Sequence, residues 1–281
     1  MRPRDAAATL QGHLHSRTSR LITGALVAVS RGCLPLVALA GMLTDADVFT
    51  PPVLVPTLLL LAALPAAAAW LIERAARAYV LVDDRHLVLG RRDLRLEVPR
   101  VSIASVTPWS LPLPGPGVTF TLRSRAQLTG GLEIRDPLAL SEALGGTRAR
   151  THPVAVWAQA RAALPPWRWY HVVWKFVLFA LAPTAVLFNA HQHIAYGGSL
   201  GQYYLEGPGA YVRTFALYWL SVSLDLVLWA AVWRALAEGV ALVLALVAPS
   251  RAASVRRAIE IACRLLYYAG APALVAARFL A

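Results

Sequence analysis

Two histidines stand two residues apart in "NAHQHIAYGGSLGQYYLEGPG", residues 189–209, the most distinctive polar segment of the chain. In an extended strand that spacing sets His191 and His193 on one side. With Glu206, or with Asp45 or Asp47 from the connector 44–52, they would supply ligands to a zinc-like divalent ion. Equally, one histidine would serve as a general base beside Tyr203 or Tyr204. H-x-H by itself is a weak motif. The plainer reading is an interfacial loop whose histidines and tyrosines bond to head groups while its glycines turn the chain. His13-Leu14-His15 repeats the spacing in what reads as a flexible N-terminal arm. His86, His152 and His171 read as surface or interfacial residues. Apart from a divalent ion at the 189–209 loop, no cofactor is expected.

Two charges fall near the middle of apolar runs, Arg31 in the first and Asp225 in the fourth. A lone charge at mid-bilayer costs about 3 kcal/mol on insertion scales, so such residues face protein or water and find partners. Their similar depth predicts an Arg31–Asp225 pair, structural first and a proton or substrate path second. The chain has no Walker, G-x-S-x-G, H-E-x-x-H or C-x-x-C motif to fix a reaction. It also shows no inverted repeat of the kind secondary transporters carry.

The elements that must position these residues are mostly apolar. Runs at 21–43, 53–72, 172–188, 211–235 and 258–280 each approach the roughly 20 residues that cross a bilayer as helix. Of the 281 residues 58% are hydrophobic and 15% charged, against roughly a quarter charged in soluble domains. The mean hydropathy is +0.55. Five spans are therefore expected, with 211–248 either one long helix with a tilted or interfacial end, or a helix broken at Gly239. Cys33 and Cys263 both lie in apolar runs, which excludes a disulfide framework.

Basic residues sort by loop. Arg2, Arg4, Arg17 and Arg20 precede the first run, and Arg74 and Arg77 follow the second. Arg251, Arg256 and Arg257 precede the last. The connector 44–52 and the loop 189–209 carry no basic residue but histidine. The positive-inside rule then places the N-terminus, the polar insert and residues 249–257 in the cytoplasm, and the expected location is a bacterial inner membrane. The net charge of +12 is absorbed by topology and head-group contacts, and no basic stripe interleaved with aromatics points to nucleic acid.

Residues 79–146 are strand-patterned. "YVLVDDRHLVLG" reads as two strands around an Asp84-Arg85 turn, and Leu94, Leu96 and Val98 alternate with Arg95 and Glu97. Val101–Val106 continues the style. The Pro- and Gly-rich 107–117 is a loop. Val118–Leu122 and Leu132–Ile134 are further strands, and Asp136-Pro137 opens a short helix to Leu144 that Gly145-Gly146 stop. With "PGPGVTFTL" and "LEIRDPLALSEAL", this order resembles a bacterial pleckstrin-homology-like domain over about a quarter of the chain. The resemblance implies a small bent barrel or sandwich closed by a C-terminal helix, one that binds partners or lipids and carries no catalytic residues.

The expected organisation is an arm at 1–20, a transmembrane hairpin at 21–72, the β-domain at 78–147, an interfacial linker at 148–171 and a C-terminal transmembrane region at 172–281. The linker predicts a helix on the inner leaflet within 153–166. Trp167, Trp169, Tyr170, Trp174 and Lys175 form an interfacial anchor. The fold class is an α-helical integral membrane protein with an inserted cytoplasmic β-rich domain. Its expected role is that of a non-catalytic assembly or accessory subunit. The expected partners are the lipid bilayer and another membrane or cytoplasmic protein, or a second copy of the chain. The alternatives are an enzyme acting on a lipid-linked substrate at the outer face, and a small transport component.

Overall fold

The computed structural model describes residues 8–43, 50–91, 94–126, 128, 131–145, 152–165 and 168–273. It divides into two compact units. One comprises 1–31, 61–164 and 238–258, and the other 32–60, 165–237 and 259–281.

The first unit is built on an antiparallel sheet whose first strand, β1 (Ala8–His15), comes from the N-terminal arm. After it come helix α1 (Arg17–Leu43) and helix α2 (Pro51–Ala76). The remaining strands are β2 (Arg77–Val82), β3 (His86–Arg91), β4 (Leu94–Pro99), β5 (Ile103–Pro108), β6 (Gly117–Leu122) and β7 (Gly131–Ile134). Their order is β4-β3-β2-β1-β7-β6-β5. The arm is thus the central strand of the sheet and not a flexible tail. Leu10 pairs with Val80 on one side of β1, and His13 with Glu133 on the other.

Almost no chain separates strand from helix. Ser16 alone joins β1 to α1, and its hydroxyl accepts from the Ser19 N–H at 3.1 Å, the N-cap bond that starts a helix. At the other end α2 stops at Ala76 and β2 begins at Arg77. The apolar hairpin is therefore inserted between two neighbouring strands. Within it, α2 widens to a π-turn at Leu59–Ala63 just before Pro65, which has no N–H to donate. Ser30 of α1 donates to the Ala62 carbonyl in that turn at 2.8 Å, satisfying an acceptor in surroundings without water.

Leu10 and Leu14 of β1, Val80, Leu87, Leu89, Val98, Ile103, Val106, Val118, Phe120, Leu132 and Ile134 meet in one core. All seven strands contribute, so the sheet must curl on itself. Leu140 of α3 (Pro137–Ala143) completes the core. The Asp136 carboxylate accepts from the Leu138 and Ala139 N–H groups at 3.1 and 3.0 Å, and Gly145, at φ +79°, takes the left-handed conformation just past the helix end. The expected strands and cap are present, except that Arg100–Ser102 is a 3-10 turn and β5 runs on through Thr107 and Pro108, expected in the loop, which pair with Thr119 and Val118. Gly146 lies outside the described residues.

Helix α4 (Pro153–Ala162) corrects the linker reading. Val154, Ala155, Trp157, Ala158 and Ala160 are buried in protein. Ala155 packs on Leu138, and Arg135 donates to the carbonyls of Ala162 and Leu164. This helix is docked on the sheet unit, so its apolar face is not free to lie on a leaflet.

The second unit is helical: α5 (Trp169–Tyr196), α6 (Gly201–Glu206), much of α7 (Pro208–Val247) and most of α8 (Ala252–Tyr268). Its cores gather Ala180, Val222, Leu226, Tyr267 and Ala271, and Ala38, Leu54 and Leu228. Helix α7 runs 40 residues without a break at Gly239, about 60 Å long, twice the roughly 30 Å hydrocarbon thickness.

Among the described residues four helices are long and apolar enough to cross a membrane: 17–41, 51–76, 169–196 and 208–247. They leave Leu36, Leu60, Leu64 and Val243 exposed, as lipid-facing surface requires. The fifth expected span is not among them. Its first turns belong to α8, where Glu260 and Arg264 interrupt the apolar run and Arg256 and Arg257 stand just before it. Residues 274–281 of that run lie outside the described residues.

Candidate functional site

The chemistry expected at the 189–209 loop depended on an extended backbone. The segment is instead helical through Tyr196, and Gly197 in the left-handed conformation ends the helix. At about 100° per residue, i and i+2 then point to nearly opposite sides. His191 meets the Tyr196 ring edge-on and the Tyr218 ring at a tilt, while His193 Nδ1 lies 2.9 Å from the Asn189 carbonyl one turn back. Glu206 is engaged elsewhere, accepting from Tyr196 Oη at 3.0 Å and Gln202 Nε2 at 2.8 Å. The residue that organises this end is one the sequence reading passed over. Gln192 is fully buried and exchanges two bonds with Gln202, at 2.8 and 3.2 Å. Asp45 and Asp47 lie outside the described residues.

The other expected positions are placed as follows. Arg31 sits on α1, where its charge acts on Glu73 of α2. Asp225 lies midway along α7. Trp169, Tyr170 and Trp174 are exposed at the start of α5, Lys175 lies over the Tyr267 and Tyr268 rings, and Trp167 is outside the described residues.

Chemistry-bearing groups converge at the arm instead. Leu10 and Leu14 turn one face of β1 into the core, so alternation turns Gln11, His13 and His15 to the opposite face. On β7, Leu132 and Ile134 are core residues, and Glu133 between them faces the same way as the histidines. His15 Nε2 lies 3.0 Å and His13 Nδ1 3.5 Å from the same oxygen, Glu133 Oε2. Ser19, in the first turn of α1, sits 3.4 Å from the other nitrogen of His15. Although on the outer face, the cluster is covered. The His15 side chain is wholly buried and that of Glu133 is 15% exposed, whereas His13 remains 29% exposed.

The cover is the loop 109–116 and the start of α1. A side chain at Gly115 would collide with the Glu133 carboxylate. Trp109 fills a slot floored by Gly117 and Gly131, neither of which has room for a Cβ. Its indole donates to Thr119 Oγ1 at 3.1 Å, and the Arg20 guanidinium lies 3.6 Å above its ring. Leu113 rests on Gly24. The Pro-rich loop is thereby fastened to the first turns of α1.

Electrostatics bind the cluster further. Burial would raise the Glu133 carboxyl, but hydrogen bonds from His13 and His15, with their charge, hold it down at about 2. The same bond raises the His13 imidazole above its ordinary value, against burial, which would lower it. Glu73, at the end of α2, adds its field to His13, His15 and Glu133. Sequence reading found the H-x-H but not Glu133, because strand pairing across about 120 residues brings them together.

No family model, curated protein or solved structure matches the chain. What the site can do must be read from its own geometry.

Proposed function

We propose that the protein is a bacterial inner-membrane accessory subunit whose β-domain, pleckstrin-homology-like in design, is held at the cytoplasmic face and docks a partner or the lipid surface without doing chemistry of its own. One observation carries this reading. The two strands at the middle of the sheet pass into the two apolar helices through one residue or none, so the domain has no slack by which to leave the bilayer. Seven strands around one core, closed by a short helix after the last, agree with the design the resemblance implies. The arginine asymmetry of the loops supports the cytoplasmic side.

The lipid contact falls to the loop 109–116. Leu113 packs on Gly24 where α1 begins, and Leu111 beside it is 61% exposed, an apolar side chain at the depth where a helix enters the membrane. In nanodiscs, an environment-sensitive fluorophore on Leu111→Cys should be quenched by lipids labelled near the head group, and one on Val101→Cys should not. Equal, water-like quenching at both positions would remove the lipid-facing assignment. Photocrosslinkers at Val101, itself 75% exposed, should capture a protein partner in cells. Failure there, together with turnover at the outer face lost on His191→Ala, would replace the subunit reading with an enzyme.

A further inference from the structure

We propose that His13, His15 and Glu133 bind a divalent transition cation of the zinc class, clamping the N-terminal strand to β7. The donor set is two imidazoles and one carboxylate, which suits zinc and its neighbours better than calcium or magnesium. The one ligand atom offered by each residue lies within 4.8 Å of the others. Ligands about 2.05 Å from a tetrahedral centre stand about 3.3 Å apart, and the two imidazole-to-carboxylate distances, 3.0 and 3.5 Å, bracket that value. Along these two edges a cation needs shifts of only a few tenths of an ångström, and the imidazole-to-imidazole edge, within 4.8 Å, closes by rotation of the partly exposed His13 ring.

The surroundings fit as well. A metal-binding histidine usually donates its second N–H to an oxygen that fixes ring and tautomer. His15 has Ser19 Oγ in that place, and a hydroxyl can accept from the ring when metal is bound or donate to it when metal is absent. Glu133 and nearby Glu73 offer negative charge against Arg31 and Arg77, which also act on the group. The exposed side of His13 gives a path for entry. The site lies on the sheet, so it stands or falls separately from any docking by the domain.

The test uses the full-length protein in detergent, stripped with chelator and titrated with Co2+ as a visible surrogate and with Zn2+ by calorimetry. One equivalent should bind, with a tetrahedral cobalt spectrum that His13→Ala abolishes and His191→Ala with His193→Ala leaves intact. Ser19→Ala should weaken affinity about tenfold. X-ray absorption on the zinc-loaded wild type, which needs no variant to fold, should show a nitrogen and oxygen shell with two imidazoles. No stoichiometric binding by the wild type, a sulfur-containing shell, binding that survives His13→Ala, or binding lost with the 191/193 pair would each overturn the proposal.

Discussion

Glu133 and His13 set opposite limits on the stability of the metal-free protein. Glu133 sits at about 2 in the folded chain against an ordinary 4.5, so its contribution is whole above 4.5 and drains away as pH falls toward 2. His13 is raised above 6.5, so its contribution is whole below 6.5 and is lost as pH rises through the folded value. In chelator, thermal melts should place the advantage of wild type over a Glu133→Gln, His13→Ala double variant between pH 4.5 and 6.5, shrinking on both flanks. A difference that does not change with pH would mean the three side chains do not interact. At this scale the sequence was half legible. H-x-H was visible, but which H-x-H mattered depended on backbone: helix separates His191 from His193, and strand aligns His13 with His15.

At the scale of elements, local signals were readable and distant ones were not. The alternation of Leu94, Leu96 and Val98 and the Asp136-Pro137 start depend on neighbours a few residues away, and β4 and α3 lie where those signals put them. The arm gave no such sign, because β1 pairs with strands about 70 and 120 residues later and shows a polar face of Gln11, His13 and His15. If it is the central strand, Leu14→Asp places a charge against the sheet core and should cost more than about 2 kcal/mol in denaturant melts; unchanged stability would restore the arm as a tail. The run expected from residue 258 was read across Glu260 and Arg264 as one apolar window, and its last residues, 274–281, lie outside the described ones. Arg256 is 2% exposed and forms two bonds of 2.8 Å with Glu238 near the end of α7. Removing one partner of a buried pair costs about 3–5 kcal/mol, so Arg256→Met should sharply lower the melting temperature, and adding Glu238→Met should recover much of the loss. Strict additivity would show that the pair is not coupled.

At the scale of the whole molecule, four apolar helices among the described residues accompany a β-domain whose two middle strands run directly into the first two of them, and the cytoplasmic placement proposed for that domain is the central claim. Its most direct test is the sidedness of two cysteines, Arg125→Cys on the β-domain and Leu200→Cys beyond α5, in a background without Cys33 and Cys263. An impermeant thiol reagent added to intact spheroplasts should label position 200 and leave position 125 unlabelled until the membrane is opened. Labelling of position 125 from the outside would contradict the orientation, and with it the docking role assigned to the domain.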